Sequence, residues 1–167
     1  MTVQPFVPWP DPRLRTACED VAHVDDTVHA IWTDMVDTME AMPGMGVGLA
    51  ACQIGVMWRL AVVDASDDRG QAVLMANPTV LHASIELREY TEASPNLPGL
   101  SAKIKRPRAV TVRFLNAKGE VEDRDFVGLW ATSVQHQIDH LAGKMYFDRL
   151  SKLKRDMFLR KAAKLKA

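Results

Sequence analysis

The chain has 167 residues, 47% hydrophobic and 25% charged, with 21 basic side chains balanced by 21 acidic ones. That balance suits one ordinary globular domain with a sizeable core, and two cysteines exclude a disulfide framework, so Cys18 and Cys52 read as reduced thiols. No apolar run approaches the roughly 18 residues of a membrane span and no basic-then-apolar leader opens the chain, which predicts a cytoplasmic protein.

The proline-rich stretch PWPDPRLR (8–15) reads as an ordered loop rather than a helix. Residues 25–41 place Val28, Ile31, Trp32, Met35, Val36 and Met39 at helical spacing behind an aspartate cap. GMGVGLAACQIG (44–55) is glycine-rich and then apolar, offering backbone that a ligand can approach closely. Residues 59–65 and 72–78 read as buried strands, 79–93 as one or two more, and 109–128 as a hairpin turning at Ala117-Lys118-Gly119. A second helix over roughly 129–142, ended by Gly143, carries a core stripe of Trp130, Val134, Ile138 and Leu141. Ser151 opens a third helix running to the end. Helices flanking several strands predict an α+β domain over residues 1–167.

The zero net charge is unevenly distributed. Residues 151–167 hold seven basic side chains against Asp156 alone, leaving 14 basic and 20 acidic side chains in the first 150 residues. This basic terminal helix is either a solvated face or a docking surface for an anionic partner such as RNA.

Within the second helix, His136 and His140 lie four apart, the spacing that presents two imidazoles on one face to a metal. Two histidines alone leave a catalytic zinc site incomplete, and ordinary buried histidines give the same pattern.

PDPRLR near the start, GVGLAACQIG (46–55), Asn77-Pro78 and VQHQIDHLAGKMYFDRLSKLK (134–154) together resemble the bacterial peptide deformylases in order and spacing across nearly the whole chain. The resemblance implies the peptide deformylase α+β fold: mixed or antiparallel β-sheets around a central helix bearing the histidine pair, and a C-terminal helix. It implies removal of the formyl group from N-formylmethionyl peptides by a divalent metal of the iron, zinc or nickel class. It implies as partners an N-terminal methionyl or formyl-methionyl peptide and, through residues 151–167, the ribosome, with no role for membrane or DNA.

Three family motifs fare differently. The glycine motif is intact: Gly46, Gly48 and Leu49 would bind substrate backbone, and Gln53 would polarise the formyl oxygen. In the second motif, anchoring on Pro98-Gly99-Leu100 and Arg106 places Ser94 at the family's cysteine ligand and Pro95 at an oxyanion-binding N–H donor. The competing register, with Gly99 at the ligand position, loses the Pro-Gly and Arg106 matches and supplies no cysteine either. A neutral hydroxyl is a weak ligand beside a thiolate, and proline has no N–H. In the third motif Gln137 replaces the glutamate that moves protons. Losing an oxyanion donor reduces rates about 10²–10³-fold and losing a general base roughly 10²–10⁴-fold.

The expected site is therefore Gln137 and Gln53 as catalytic positions, Gly46, Gly48, Leu49, Glu92, Pro95 and Arg106 toward substrate, and His136, His140 and Ser94 toward metal. Glu92 matches a family glutamate that holds the active-site loop, and Asp139 suits either orienting a histidine or supporting the helix. Cys52 should point away from the site. The expectation is a deformylase-like protein with weak or absent metal binding and impaired hydrolysis; the alternatives are an active deformylase and a ribosome-binding module.

Overall fold

The computed structural model describes residues 2–44 and 46–166. Its first helix, α1 (Asp26–Glu40), starts where the Asp25 carboxylate accepts the Val28 N–H at 3.0 Å. It turns Val28, Trp32, Met35 and Met39 inward, with Ile31 and Val36 half-buried beside them.

Five strands form one antiparallel sheet in the order β1 (Gly48–Ala50), β2 (Leu60–Val63), β3 (Val73–Ala83), β6 (Ala109–Leu115) and β7 (Val121–Val127). A separate antiparallel ribbon pairs β4 (Leu87–Glu92) with β5 (Ala102–Pro107). Every residue of β2 is buried because both faces of the sheet are covered at that strand. Leu60 and Val62 pack toward α1, whereas Val63 packs with α2 (Leu129–Leu141). The α+β class and antiparallel pairing expected from sequence are observed, as is the 109–128 hairpin with Gly119 at φ +77°.

Three local expectations need correction. The segment 8–15 contains a 3-10 turn, Pro12–Arg15, whose first turn is capped by Asp11. Asn77-Pro78 does not end a strand: β3 runs through it at a register shift between Ala76 and Thr79. Pro78 is tolerated because a bulge asks no ladder N–H of it, and Asn77, at φ +52°, pairs its side-chain amide with both backbone groups of Val21 at 2.9 Å. Finally, α2 is not striped: it is buried on nearly all sides, and Trp130 and Ile138 are only half-buried.

The last helix, α3 (Lys152–Lys166), is capped by Ser151 and seats Phe158 and Ala162 against Tyr146 and Phe147. Phe147 and Phe158 stack at 4.9 Å between ring centroids. Lys154, Arg160, Lys161 and Lys164 face outward. Among the described residues, no helix is long and apolar enough to cross a membrane.

Candidate active site

Helical geometry places Ser133, His136, Gln137 and His140 on one face of α2. The glycine-rich segment entering β1 runs across that face. The Ser133 hydroxyl donates to the Val47 carbonyl at 2.8 Å, tying the segment to the helix. A Cβ on residue 48 would lie 2.5 Å from Ser133 Oγ and 2.6 Å from Gln137 Nε2, so any larger residue there would have to displace both side chains. Met45, inside the predicted stretch, lies outside the described residues. Arg69 holds the rim from outside, donating to the Gly46 carbonyl at 2.7 Å and to Glu40 at 3.0 Å.

Between this segment, α2 and β4 lies a cavity of about 200 Å³. Of the expected residues, Gly46, Gly48, Gln53, Glu92, Pro95, His136 and Gln137 line it, together with Met42, Tyr90, Leu129 and Ser133. Leu49 does not: it is fully buried in the core beneath α1. Arg106 is fully buried too, and acts from behind the cavity wall. Neither Ser94 nor His140 reaches the lining.

A continuous ionic chain passes behind the cavity. Arg149 donates to both oxygens of Asp139 at 2.7 and 2.9 Å. Arg106 reaches Asp139 at 2.8 Å and clasps both Glu92 oxygens at 2.6 and 2.9 Å. Glu92 in turn lies 2.8 Å from His136 Nδ1. Burial would raise both carboxyl pKa values, but hydrogen bonds and the nearby positive charges outweigh it and hold both below the usual range. Glu92 and Asp139 are thus ionised acceptors, and His136 Nδ1 carries the proton between itself and Glu92. Tyr146 stacks on the His136 ring at 5.7 Å between centroids. Burial, then the neighbouring His136, holds the His140 pKa well below the ordinary imidazole value.

Above the chain sits an amide network that sequence reasoning missed. Asn96 donates to the Val7 and Gln53 carbonyls at 2.6 and 3.0 Å. Its side-chain oxygen accepts from Gln53 Nε2 at 2.7 Å and from the Ser94 hydroxyl at 2.9 Å. The second Gln53 amide hydrogen goes to Ser94 Oγ at 3.3 Å, and Gln53 Oε1 accepts the Ala50 N–H at 2.9 Å. Gln53 therefore lines the cavity with its amide already engaged. Cys52 does point away from the cavity, its thiol donating to the His140 carbonyl at 3.3 Å. The cause is a 3-10 turn over Ala51–Ile54 rather than the alternation of an extended strand.

The histidine pair converges: the two Nε2 atoms are 3.1 Å apart. No thiolate, carboxylate or further imidazole joins them as a third donor among the described residues. Among the described residues, no three of His, Cys, Asp and Glu gather to hold a metal. Ser94 offers only a neutral hydroxyl, whose proton is engaged with Asn96. Two imidazoles fall short of the three-ligand set of a catalytic zinc, so these residues do not fit a resident catalytic metal.

Comparison with known proteins gives one consistent result. The polypeptide deformylase family model matches residues 3–156. A peptide deformylase of Afipia carboxidovorans is 40% identical over 100% of this chain and 99% of its own length. One of Rhizobium meliloti is 39% identical over 98% of this chain and 94% of its own. The crystal structure of a Legionella pneumophila peptide deformylase superposes with TM-score 0.88 at 36% identity, covering 99% of this chain and 96% of that one. The Ehrlichia chaffeensis enzyme in complex with actinonin gives TM-score 0.88 at 33% identity, with 98% of each chain covered. These relatives are named as peptide deformylases without qualification, and that favours an active hydrolase over an impaired one.

Proposed function

We propose that this chain, which belongs to the polypeptide deformylase family, holds the amino-terminal end of a methionyl or formyl-methionyl peptide in its cavity and hydrolyses the formyl amide very slowly or not at all. One observation carries this reading. At the positions that the resemblance assigns to a proton-moving glutamate, a cysteine metal ligand and an oxyanion-binding N–H donor, this chain has Gln137, Ser94 and Pro95.

Gln137 matches a carboxylate in length but cannot take a proton from water or deliver one to a leaving amine. Pro95 lines the cavity without an N–H to offer a developing oxyanion. Gln53, the remaining candidate donor, has both amide hydrogens engaged by Asn96 and Ser94. What this chain's residues can still do is bind and orient. The Gly46–Gly48 backbone lies open along one wall, Met42 and Leu129 supply apolar surface for a side chain, and the Glu92–Arg106 clasp keeps the opposite wall rigid. A cytoplasmic setting belongs to the same proposal.

A second reading, an active deformylase, is supported by the names of the relatives and by the convergence of His136 and His140. Turnover of a formyl-Met-Ala-Ser peptide with nickel or cobalt in excess separates the two. The expected result is no chelator-sensitive hydrolysis, with activity appearing when Ser94→Cys, Pro95→Leu and Gln137→Glu are combined. Efficient turnover by the unaltered chain establishes the second reading instead. The exposed basic face of α3 supports ribosome docking as an additional property, expected to disappear from co-sedimentation when Lys154, Arg155 and Arg160 are changed to glutamate.

A further inference from the structure

We infer that the histidine pair is closed by a hydrogen bond instead of a metal: His140 Nε2–H donates to His136 Nε2, and the protein as made carries no metal ion there. The assignment follows from donors and acceptors in sequence. Arg106 can only donate, and Glu92 accepts from it with both oxygens. Glu92 Oε1 also faces His136 Nδ1 at 2.8 Å, so Nδ1 is a protonated nitrogen and, where the ring carries that proton alone, His136 presents a lone pair at Nε2. His140 Nε2 stands 3.1 Å from that lone pair. Two facing lone pairs at this distance repel; a proton between them makes an ordinary N–H···N bond.

His140 Nδ1 decides which histidine supplies that proton. It is buried and has no hydrogen-bond partner among the described residues. With the proton at Nε2, the unpartnered Nδ1 is a bare acceptor. Every other arrangement places an N–H at Nδ1 with nothing to receive it. This holds when the two lone pairs face each other, when His140 is a cation, and when His136 is the donor. An orphaned buried N–H is among the rarest features of folded proteins, whereas under-satisfied acceptors are tolerated more often.

Metal binding requires the disfavoured form. Both Nε2 atoms must then offer lone pairs, which moves the His140 proton to Nδ1. Histidine ligands normally donate that second N–H to a carboxylate, carbonyl or water, as His136 does to Glu92. His140 has no such acceptor among the described residues, and Ser94 adds no thiolate. The missing support and the missing third ligand act in the same direction.

The test uses the unaltered full-length chain. Elemental analysis of protein purified without chelator is expected to give less than about a tenth of a metal ion per chain. Long-range proton–nitrogen NMR correlations are expected to show His136 as the Nδ1–H tautomer and His140 as the Nε2–H tautomer, unchanged on adding one equivalent of zinc or nickel. Stoichiometric metal surviving gel filtration, or His140 found as Nδ1–H, overturns the inference. This inference and the slow-hydrolysis proposal fail separately. A metal-loaded but inactive chain overturns only this inference, and a metal-free chain that turns over formyl-peptide overturns only the other.

Discussion

Two bidentate Arg–carboxylate pairs in this protein have nearly the same geometry and opposite consequences. On the β6–β7 hairpin, Arg113 meets Asp123 at 2.8 and 3.0 Å with side chains 55% and 44% exposed. Behind the cavity, Arg106 meets Glu92 at 2.6 and 2.9 Å with exposures of 0% and 5%. At the surface, water solvates either partner alone almost as well as the pair, so the contact does little. In the interior, each charge is tolerable only while every partner is present, and the pair is joined to His136 and, through Asp139, to Arg149. The distances alone do not distinguish the two; burial does. The interior pair also fixes where protons sit, and this makes it part of the site.

The sharpest way to break the contrast is Arg106→Met, which leaves buried Glu92 with only His136 beside it and takes from Asp139 one of its two arginines. We expect a loss of about 3–5 kcal/mol in urea unfolding. Protons probe the same chain. Both carboxyl pKa values are depressed in the folded state, so the stability they confer is full above the unfolded carboxylate range near about 4. It is lost as pH falls through the lower folded values. Unfolding measured from pH 7 to pH 2 should show this loss in the wild type, and a shallower one in the Arg106→Met variant if that variant folds.

Asn96→Ala removes an amide that satisfies two carbonyls and anchors Gln53 and Ser94. It should destabilise by about 2 kcal/mol and weaken binding of a Met-Ala-Ser peptide in calorimetry. Arg69→Met releases the Gly46 and Asp64 carbonyls and the Glu40 carboxylate. The expected effect is several-fold weaker peptide binding with a melting temperature lowered less than by Asn96→Ala. At the small end, Arg113→Ala or Asp123→Ala should leave both melting and binding unmoved. A clear shift there would erase the distinction between the two pairs.

Much of the fold was legible because it rests on local periodicity. The α1 stripe, the 109–128 hairpin and the His136–His140 spacing each follow from residues within a few positions of one another. What was not legible depends on distant partners. Pro78 reads as a strand end until Val21, 56 residues from Asn77, is known to receive the αL asparagine. Thr132, Ser133 and Gln135 lie outside the core stripe read for α2 and are buried all the same, because neighbouring elements cover them. Asn96 carries the amide network, yet its carbonyl partners Val7 and Gln53 lie 89 and 43 residues away. Leu49 and Arg106 were expected at the cavity on motif grounds. They support it instead, one by filling the core beneath α1 and the other by holding Glu92.

The close packing of Gly48 beneath Ser133 and Gln137 bears on the history this site can have. Glutamine and glutamate have the same reach and differ at the tip only by an amide nitrogen or an oxygen, so the contact with Gly48 is nearly blind to which of them stands at position 137. A population under pressure only to keep the protein folded therefore goes on preserving the shape around the reacting position, whatever its chemistry. On that account the shape of the cavity is set without regard to whether the side chain at position 137 can move a proton.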